Sequence, residues 1–330
     1  MTPPETKFRL TIARASLYAA AERRQTNLSA TARTAGLDFK RLRPSIQKVL
    51  NRSLRVKIQK SLAPIFFLLA LSLVFFSGRS AARVASPHAA RTKTIRVMTY
   101  NIHVGVGMDK KLDLARIAGV INQQHPDLVG LQEVDRGVER TQRIDEIAEL
   151  AKLTKMEYAF AFNLKYQGGQ YGVAILSQTP ILASDHHLYL NTREAERRGF
   201  IRAEVHIGGR LINFVTTHLD YQYEDGRVYE AQQLLAAMKE VSGPLIVVGD
   251  FNDVPTGDAY QLMRGVFDDA WNSIRPNDDG FSYPTDKPAK RIDYILMRRA
   301  GGIKAKRVWI PETPASDHVP VVAELEIGKL

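Results

Sequence analysis

From residue 95 onward the chain alternates between two hydrophobic periods. "IRVMTYN" (95–101) repeats at every second residue, while "LDLARIAGVINQQ" (112–124) places Leu114, Ile117, Ala118 and Ile121 at helical spacing. "DLVGLQE" (127–133) is a strand again, so the three segments form a β-α-β unit. The period-two signal returns in "YGVAILS", "RAEVHI", "RLINFVTTH", "PLIVVGD", "RIDYILM" and "VPVVAELEI". Helical spacing recurs over 145–152, 228–240 and 258–264, and no short internal repeat is visible. This alternation predicts one α/β domain over 93–330, with helices covering sheet faces.

Several of these strands end on a polar residue. Because residues two apart share a face, Asn101 follows Thr99 and Val97, Glu133 follows Leu131 and Val129, His218 follows Thr216 and Phe214, and Asp250 follows Val248 and Ile246. Asn252 can point the same way as Asp250 if the backbone stays extended. Taken singly, each residue reads as an ordinary strand terminus, cap or turn residue. Together they sit where an open α/β sheet places its ligand crevice, outside the carboxyl ends of its strands. Asp293 shares a face with Ile295 and Met297 in a strand apolar on both sides, and a buried carboxylate needs a partner. An arginine such as Arg291 or a histidine would serve. Asp317 and His318 are adjacent, so they reach one crevice only from a turn before the strand beginning near Val319.

Charge divides the chain in two. Residues 1–91 hold 17 Lys/Arg against 3 Asp/Glu, whereas 92–330 hold 29 against 32, so the overall +11 is the sum of +14 and −3. The globular part therefore lacks the basic excess of a nucleic-acid binder, although a polynucleotide substrate stays open. The absence of cysteine excludes disulfides, thiol nucleophiles and Cys-ligated zinc. Residues 61–78 carry no charge, follow Arg55, Lys57 and Lys60, and precede small residues including Ser80 and Ala82. That order is a secretory signal peptide if cleaved, and a membrane anchor rising about 27 Å if retained. The expected organisation is a basic extension over 1–53, a signal or anchor over 54–82, a linker over 83–92 and a catalytic domain over 93–330. Residues 1–53 read either as untranslated, with a start near Leu54 or Val56, or as a targeting extension. An exported protein, periplasmic or extracellular and monomeric, is expected, with membrane attachment through 61–78 if the segment is retained.

"TYNIH", "LQEVD", "QYGVAILS", "TTHLD", "GDFND", "RIDYIL" and "SDHVPV" occur in that order between residues 95 and 326. Seven such motifs in sequence resemble the endonuclease/exonuclease/phosphatase superfamily, the DNase I-like proteins. The resemblance implies a four-layer α/β/β/α sandwich and Mg²⁺- or Mn²⁺-dependent hydrolysis of phosphate esters. It implies Glu133 as the metal ligand, assisted by Asn101 and Asp317. Asp250 would align or deprotonate the attacking water, and Asn252 would hold a phosphate oxygen. His318, oriented by Asp293, would act as general base or as a cation, His218 would donate to a phosphoryl oxygen, and Tyr171 falls near a phosphate-contacting position. A hard cation that keeps several waters needs few carboxylates, which agrees with one Glu plus amides.

The chain departs from the family in one respect. Related branches often give the histidine at position 218 an acidic partner, yet 163–172 contain no Asp or Glu, leaving Gln170 as the substitute. Arg193, Arg197, Arg198 and Arg202 read either as a solvated loop or as a grip on an anionic substrate. The substrate expected is a small or lipid-linked phosphoester, with a nuclease as the main alternative and a catalytically silent binding protein as a third. "GDFND" also fits the binuclear metallophosphoesterases, with Asp185 and His187 as further ligands, but their G-N-H motif is missing.

Overall fold

The computed structural model describes residues 93–191 and 193–328. The expectations for 1–53, 54–82, 83–92 and the apolar segment 61–78 lie outside the described residues. Among the described residues no helix is long and apolar enough to cross a membrane.

The β-α-β unit forms as β1 (Lys93–Asn101), α1 (Leu114–Gln124) and β2 (Leu128–Arg136). Asp113 starts α1 by accepting a hydrogen bond from the Arg116 amide, which satisfies one otherwise orphaned donor. The helix α2 (Glu146–Thr154) begins in the same way on Asp145. A hairpin of β3 (Glu157–Tyr166) and β4 (Gly169–Ser177) follows. Next come β5 (Ile181–Leu188), β6 (Gly199–Ile207), β7 (Arg210–His218), α3 (Glu224–Met238) and β8 (Leu245–Asp250). The remaining elements are α4 (Asp258–Arg264), β9 (Phe267–Asp269), α5 (Ala270–Ile274), β10 (Asp293–Arg298), β11 (Ile303–Trp309) and β12 (Val321–Ile327).

These strands make two six-stranded mixed sheets, ordered β11-β12-β1-β2-β4-β3 and β5-β6-β7-β8-β10-β9. One apolar cluster lies between the sheets and includes Val97, Leu128, Phe214, Ile246, Val248 and Ile295. A second joins the outer face of the first sheet to α1 and α2 through Val129, Leu131, Ile117 and Leu150. A third joins the second sheet to α3 and α4 through Val215, Val247, Leu234 and Met263. The layers are therefore α/β/β/α, and fully burying each such side chain contributes roughly 1.5–3 kcal/mol.

The parity of each strand decides what reaches the rim. Val97, Phe214, Val248 and Ile295 face the other sheet, so Asn101, His218, Asp250 and Asp293 emerge from the same inter-sheet gap. Below them the sheets are tied by polar contacts: Gln132 Nε2 donates to Thr216 Oγ1 at 2.8 Å and to Thr99 Oγ1 at 3.2 Å. Close approach also requires Gly130, where a Cβ would lie 2.4 Å from Val248 Cγ2. Gly249 has φ +150°, and a Cβ there would meet the Thr217 carbonyl oxygen at 2.1 Å. That position brings β7 and β8 together with His218 and Asp250 in register.

Candidate active site at the rim of the two sheets

Glu133 breaks the alternation that the sequence suggests. Val129 and Leu131 face the helices, so an unbroken strand would send Glu133 there too. Instead the β2–β4 register shifts between Leu131 and Val134, and Glu133 adopts φ +57°. A left-handed backbone at a non-glycine residue is costly, and such strain concentrates at functional sites. The bulge turns the side chain to the rim, where Asn101 Nδ2 donates to Glu133 Oε1 at 3.0 Å.

The same Asn101 amide donates to Asp250 Oδ2 at 3.0 Å and therefore ties the two sheets. Its Oδ1 accepts from the His103 amide at 3.0 Å. In this orientation Asn101 positions two carboxylates through its nitrogen, and its oxygen keeps a second lone pair beyond the bond from the His103 amide. Asp250 Oδ1 accepts from the Asn252 amide at 2.8 Å, a tight turn that holds Asn252 at φ +49°. Asn252 Nδ2 donates to the Leu219 carbonyl at 3.0 Å and lies 3.0 Å from His218 Nε2.

His318 Nδ1 is 2.9 Å from Asp293 Oδ2, and its Nε2 is 3.7 Å from Asp250 Oδ2. The expected pairing of Asp293 with a histidine is present. Arg291, the alternative partner, instead pairs with Asp269. The turn carrying His318 is fixed from several sides. Ser316 Oγ donates to the Asn101 carbonyl at 2.8 Å, the Thr285 amide to the Asp317 carbonyl at 2.8 Å, and the Val319 amide to the Ser282 carbonyl at 2.9 Å. Tyr283 lies against the His318 ring, with centroids 4.7 Å apart. The strand after this turn starts at Val321 rather than near Val319.

Burial gives these groups unusual charge states. Burial of Asp250, reinforced by Asp293, raises it to about 7 against the pull of His318 and two hydrogen bonds. Burial alone would lower His318, but the charges of Asp293 and Asp250 outweigh it and raise the imidazole to about 10. His318 is thus a cation at neutral pH. His218 moves the other way, well below its usual range, because of burial and then the Arg198 cation.

The partner of His218 is Arg198, not Gln170: Arg198 Nη1 lies 2.6 Å from His218 Nδ1. A guanidinium only donates, so Nδ1 accepts from Arg198, while Nε2 faces the Asn252 amide and lies 3.5 Å from Asp250 Oδ2. Separation of 20 residues along the chain conceals this contact; the sequence offered only Arg198 as one of four arginines. The other three do not line the pocket. Arg193 pairs with Asp225 and lies over Tyr223. Arg197 is exposed. Arg202 is held by Asp185, Glu204 and Asn213 on the strands. Asp185 and His187 are bonded to each other on β5 and do not join Asp250, which removes the binuclear reading.

A cavity of about 790 Å³ opens over the cluster. Its walls include Glu133, Tyr171, Arg198, His218, Asp250, Asn252, Asp317 and His318, together with residues not anticipated from the sequence: Arg140, Tyr166, Glu196, Tyr221, Arg227, Asp253, Tyr283 and Lys290. Burial raises the Tyr171 hydroxyl well above its usual range, so it remains a donor. Two groups could hold a divalent ion. Asp250, Asp293 and His318 bring ligand atoms within 4.8 Å of one another, but they are buried and His318 Nδ1 is already committed to Asp293. Glu133 and Asp317 are half-buried carboxylates on the wall, which suits a hard ion that retains waters.

Comparison with known proteins agrees with this geometry. A family model, described as the endonuclease/exonuclease/phosphatase family, matches residues 98–318. The protein cwh43 of Schizosaccharomyces pombe (strain 972) is 28% identical over 202 residues, covering 59% of this chain and 20% of that protein. The chain thus spans about a fifth of that relative's length. An endonuclease/exonuclease/phosphatase family protein from Bacteroides thetaiotaomicron superposes with a TM-score of 0.60 at 18% identity, covering 72% of this chain and all of its own. A mannosyl-6-phosphatase from Bacteroides thetaiotaomicron VPI-5482 gives 0.56 at 18% identity, covering 70% and 99%. At these identities the structures show the fold alone.

Proposed function

The chain belongs to the endonuclease/exonuclease/phosphatase family, whose members hydrolyse phosphoester bonds, and on that premise we propose that it is a divalent-metal-dependent phosphoesterase acting on a small or lipid-linked phosphoester. The observation that carries this reading is the convergence of Glu133, Asp250, Asn252, His218 and His318 on one cavity from both sheets, held from behind by Asn101 and Asp293.

Glu133 and Asp317 would hold Mg²⁺ or Mn²⁺, with Asn101 fixing the Glu133 carboxylate. The ion, when bound, supplies charge neutralisation at the phosphoryl oxygens. Asp250, held by the Asn252 amide and Asn101 Nδ2, is the group suited to accept the proton of the attacking water. His318 enters as an imidazolium and stabilises developing negative charge, a task that Asp293 supports by holding Nδ1. His218 and Asn252 line the cavity side by side, with Nε2 and Nδ2 3.0 Å apart, and would together face a phosphoryl oxygen. Tyr171 would add a neutral donor. Binding and charge placement dominate such a displacement, with little covalent work for the protein.

Among the described residues, the other cations on the wall are already engaged. Arg140 pairs with Asp135, Arg198 with Glu196 and Arg227 with Asp253, leaving Lys290 as the lining cation without an ion pair. This disfavours a track for polynucleotide and favours a single phosphate group. The order of basic, apolar and small residues over 54–82 supports delivery outside the cytoplasm. A panel of phosphate esters assayed with Mg²⁺ or Mn²⁺, with and without EDTA, tests the reading. Metal-dependent turnover is expected; undiminished turnover in EDTA overturns it. A steep loss of rate with salt would indicate a polynucleotide instead.

A further inference from the structure

We propose that the rim of the cavity is a docking surface for a lipid bilayer carrying anionic headgroups, so that the mouth opens directly onto the membrane. The docking stands on the surface alone; its consequence, that the substrate is met in the bilayer, rests on the phosphoesterase reading.

The composition of the cavity changes with depth. Among the described residues that line it, the exposed ones are Tyr166, Tyr221, Val254, Arg140 and Lys290. All are apolar-bodied or cationic. The carboxylates lie lower: Glu133, Glu196 and Asp317 are half-buried, and Asp250 and Asp253 are buried. Tyr166, Tyr221 and Val254 are 41%, 54% and 36% exposed and come from separate segments, the end of β3, the loop after β7 and the loop after β8. Single exposed apolar side chains are ordinary, whereas three around one mouth, accompanied there only by cations, mark an interaction surface.

Two observations select a bilayer as the occupant. The first is charge. Residues 92–330 carry a net −3, yet the outermost charge at the mouth is positive: Arg140 is offset only by the buried Asp135 beneath it, and Lys290 has no ion pair. That distribution complements anionic headgroups. Tyrosine suits the headgroup level because its ring is apolar and its hydroxyl polar. Arg140 lies 4.8 Å from the Tyr166 ring and Arg198 5.7 Å from the Tyr221 ring, which steadies both rings for contact. The second is the cavity itself. A protein seated on this rim would cover the opening to the site, whereas a bilayer can pass one headgroup through it.

The chain has no cysteine, so a single introduced thiol takes a polarity-sensitive fluorophore at one place. Labels on Tyr221→Cys and Val254→Cys in the full chain report the rim, and two sites guard against one substitution disturbing the fold. A label on Leu211→Cys, 43% exposed at the far end of β7 from His218, reports the opposite end. The uncharged segment 61–78 can itself bring the chain to vesicles, so the readout is local: emission of each label and its quenching by a nitroxide-bearing lipid. On phosphatidylcholine vesicles containing phosphatidylglycerol, both rim labels should brighten at least about twofold and be quenched, with the Leu211 label unchanged. Phosphatidylcholine alone should require about fivefold more lipid, and Lys290→Glu should abolish that preference. Rim labels that ignore both kinds of vesicle, an equal response at Leu211, equal response to the two compositions, or a preference that survives Lys290→Glu overturns the inference. A change that grows with protein concentration in the absence of lipid also overturns it, because a second copy then covers the rim. None of these readings needs turnover. Failure of the docking leaves the phosphoesterase reading intact, and failure to hydrolyse any ester leaves the docking measurable.

Discussion

The two sheets meet at one rim but contribute differently to it. The second sheet delivers His218, Asp250 and Asp293 from regular strands, and they are 3%, 1% and 2% exposed. The first sheet delivers Glu133 through a strained bulge and Asp317 from a turn, and both remain half-buried. Buried charges interact strongly and shift one another's protonation, as Asp250 and His318 show. Half-buried carboxylates keep access to solvent and to a hydrated ion. The comparison assigns proton and charge work to the buried half and ion holding to the open half. Asn101 and the Asp293–His318 pair connect them across the gap.

The largest expected effect lies in the buried cluster. His318→Ala should lower kcat by about 10²- to 10⁴-fold while the protein folds normally, and excess metal should not restore it. Steady-state assays over a range of Mg²⁺ concentrations check this. A variant recovering at high Mg²⁺ would erase the division between the halves. Glu133→Gln sharpens the same division from the other side. Its main effect should be a rise of about 10- to 100-fold in the Mg²⁺ concentration for half-activity, with much of the rate regained at saturation. A loss of rate that metal cannot restore would place Glu133 with the proton-handling groups instead.

Much of the buried half, and the Asn101 that ties it to the other sheet, was legible in the sequence, because regular alternation carries Asn101, His218 and Asp250 to strand ends facing the gap between the sheets. Asp293 was legible for a different reason, since a carboxylate among Ile295 and Met297 requires a partner. The direction of Glu133 was not, because alternation points it towards the helices and only the bulge reverses it. The Arg198–His218 contact depends on β6 pairing with β7, which local pattern does not encode. The edge strands β5 and β11 lack a clear apolar face in sequence, and edge strand β3 alternates clearly but exposes Tyr158, Phe162 and Tyr166 while burying Ala161 and Asn163, the reverse of what its pattern suggests. The tyrosines of the cavity come from β3, β4 and two loops, and nothing in their spacing unites them.

The polar tie beneath the rim tests whether the halves must be held in register. Gln132→Ala leaves the Thr99 and Thr216 hydroxyls without that partner between the sheets, which should cost about 1–3 kcal/mol in denaturant unfolding. Activity should fall along with stability, because the distance from Asn101 to Asp250 depends on the spacing of the sheets. An unchanged midpoint would show that apolar packing alone sets the gap.

The smallest effect concerns a device that both halves share. Beyond β2, Glu146 at the start of α2 accepts the Asp135 amide at 2.7 Å; beyond β7, Glu230 on α3 accepts the Asp220 amide at 2.7 Å. Burial raises each carboxyl to about 8, with the amide bond opposing the shift. A raised carboxyl binds its proton more tightly in the folded protein than in the unfolded chain. Its stabilisation is therefore complete below the unfolded value near 4.5 and is lost as pH rises through about 8. Between pH 7 and 9 each group should withdraw about 1 kcal/mol. Thermal or denaturant melts at those two pH values should show a decline that Glu146→Gln and Glu230→Gln each reduce by a similar amount. If only one substitution flattens the profile, the resemblance between the halves stops at geometry, and the two carboxyls differ in the water that reaches them.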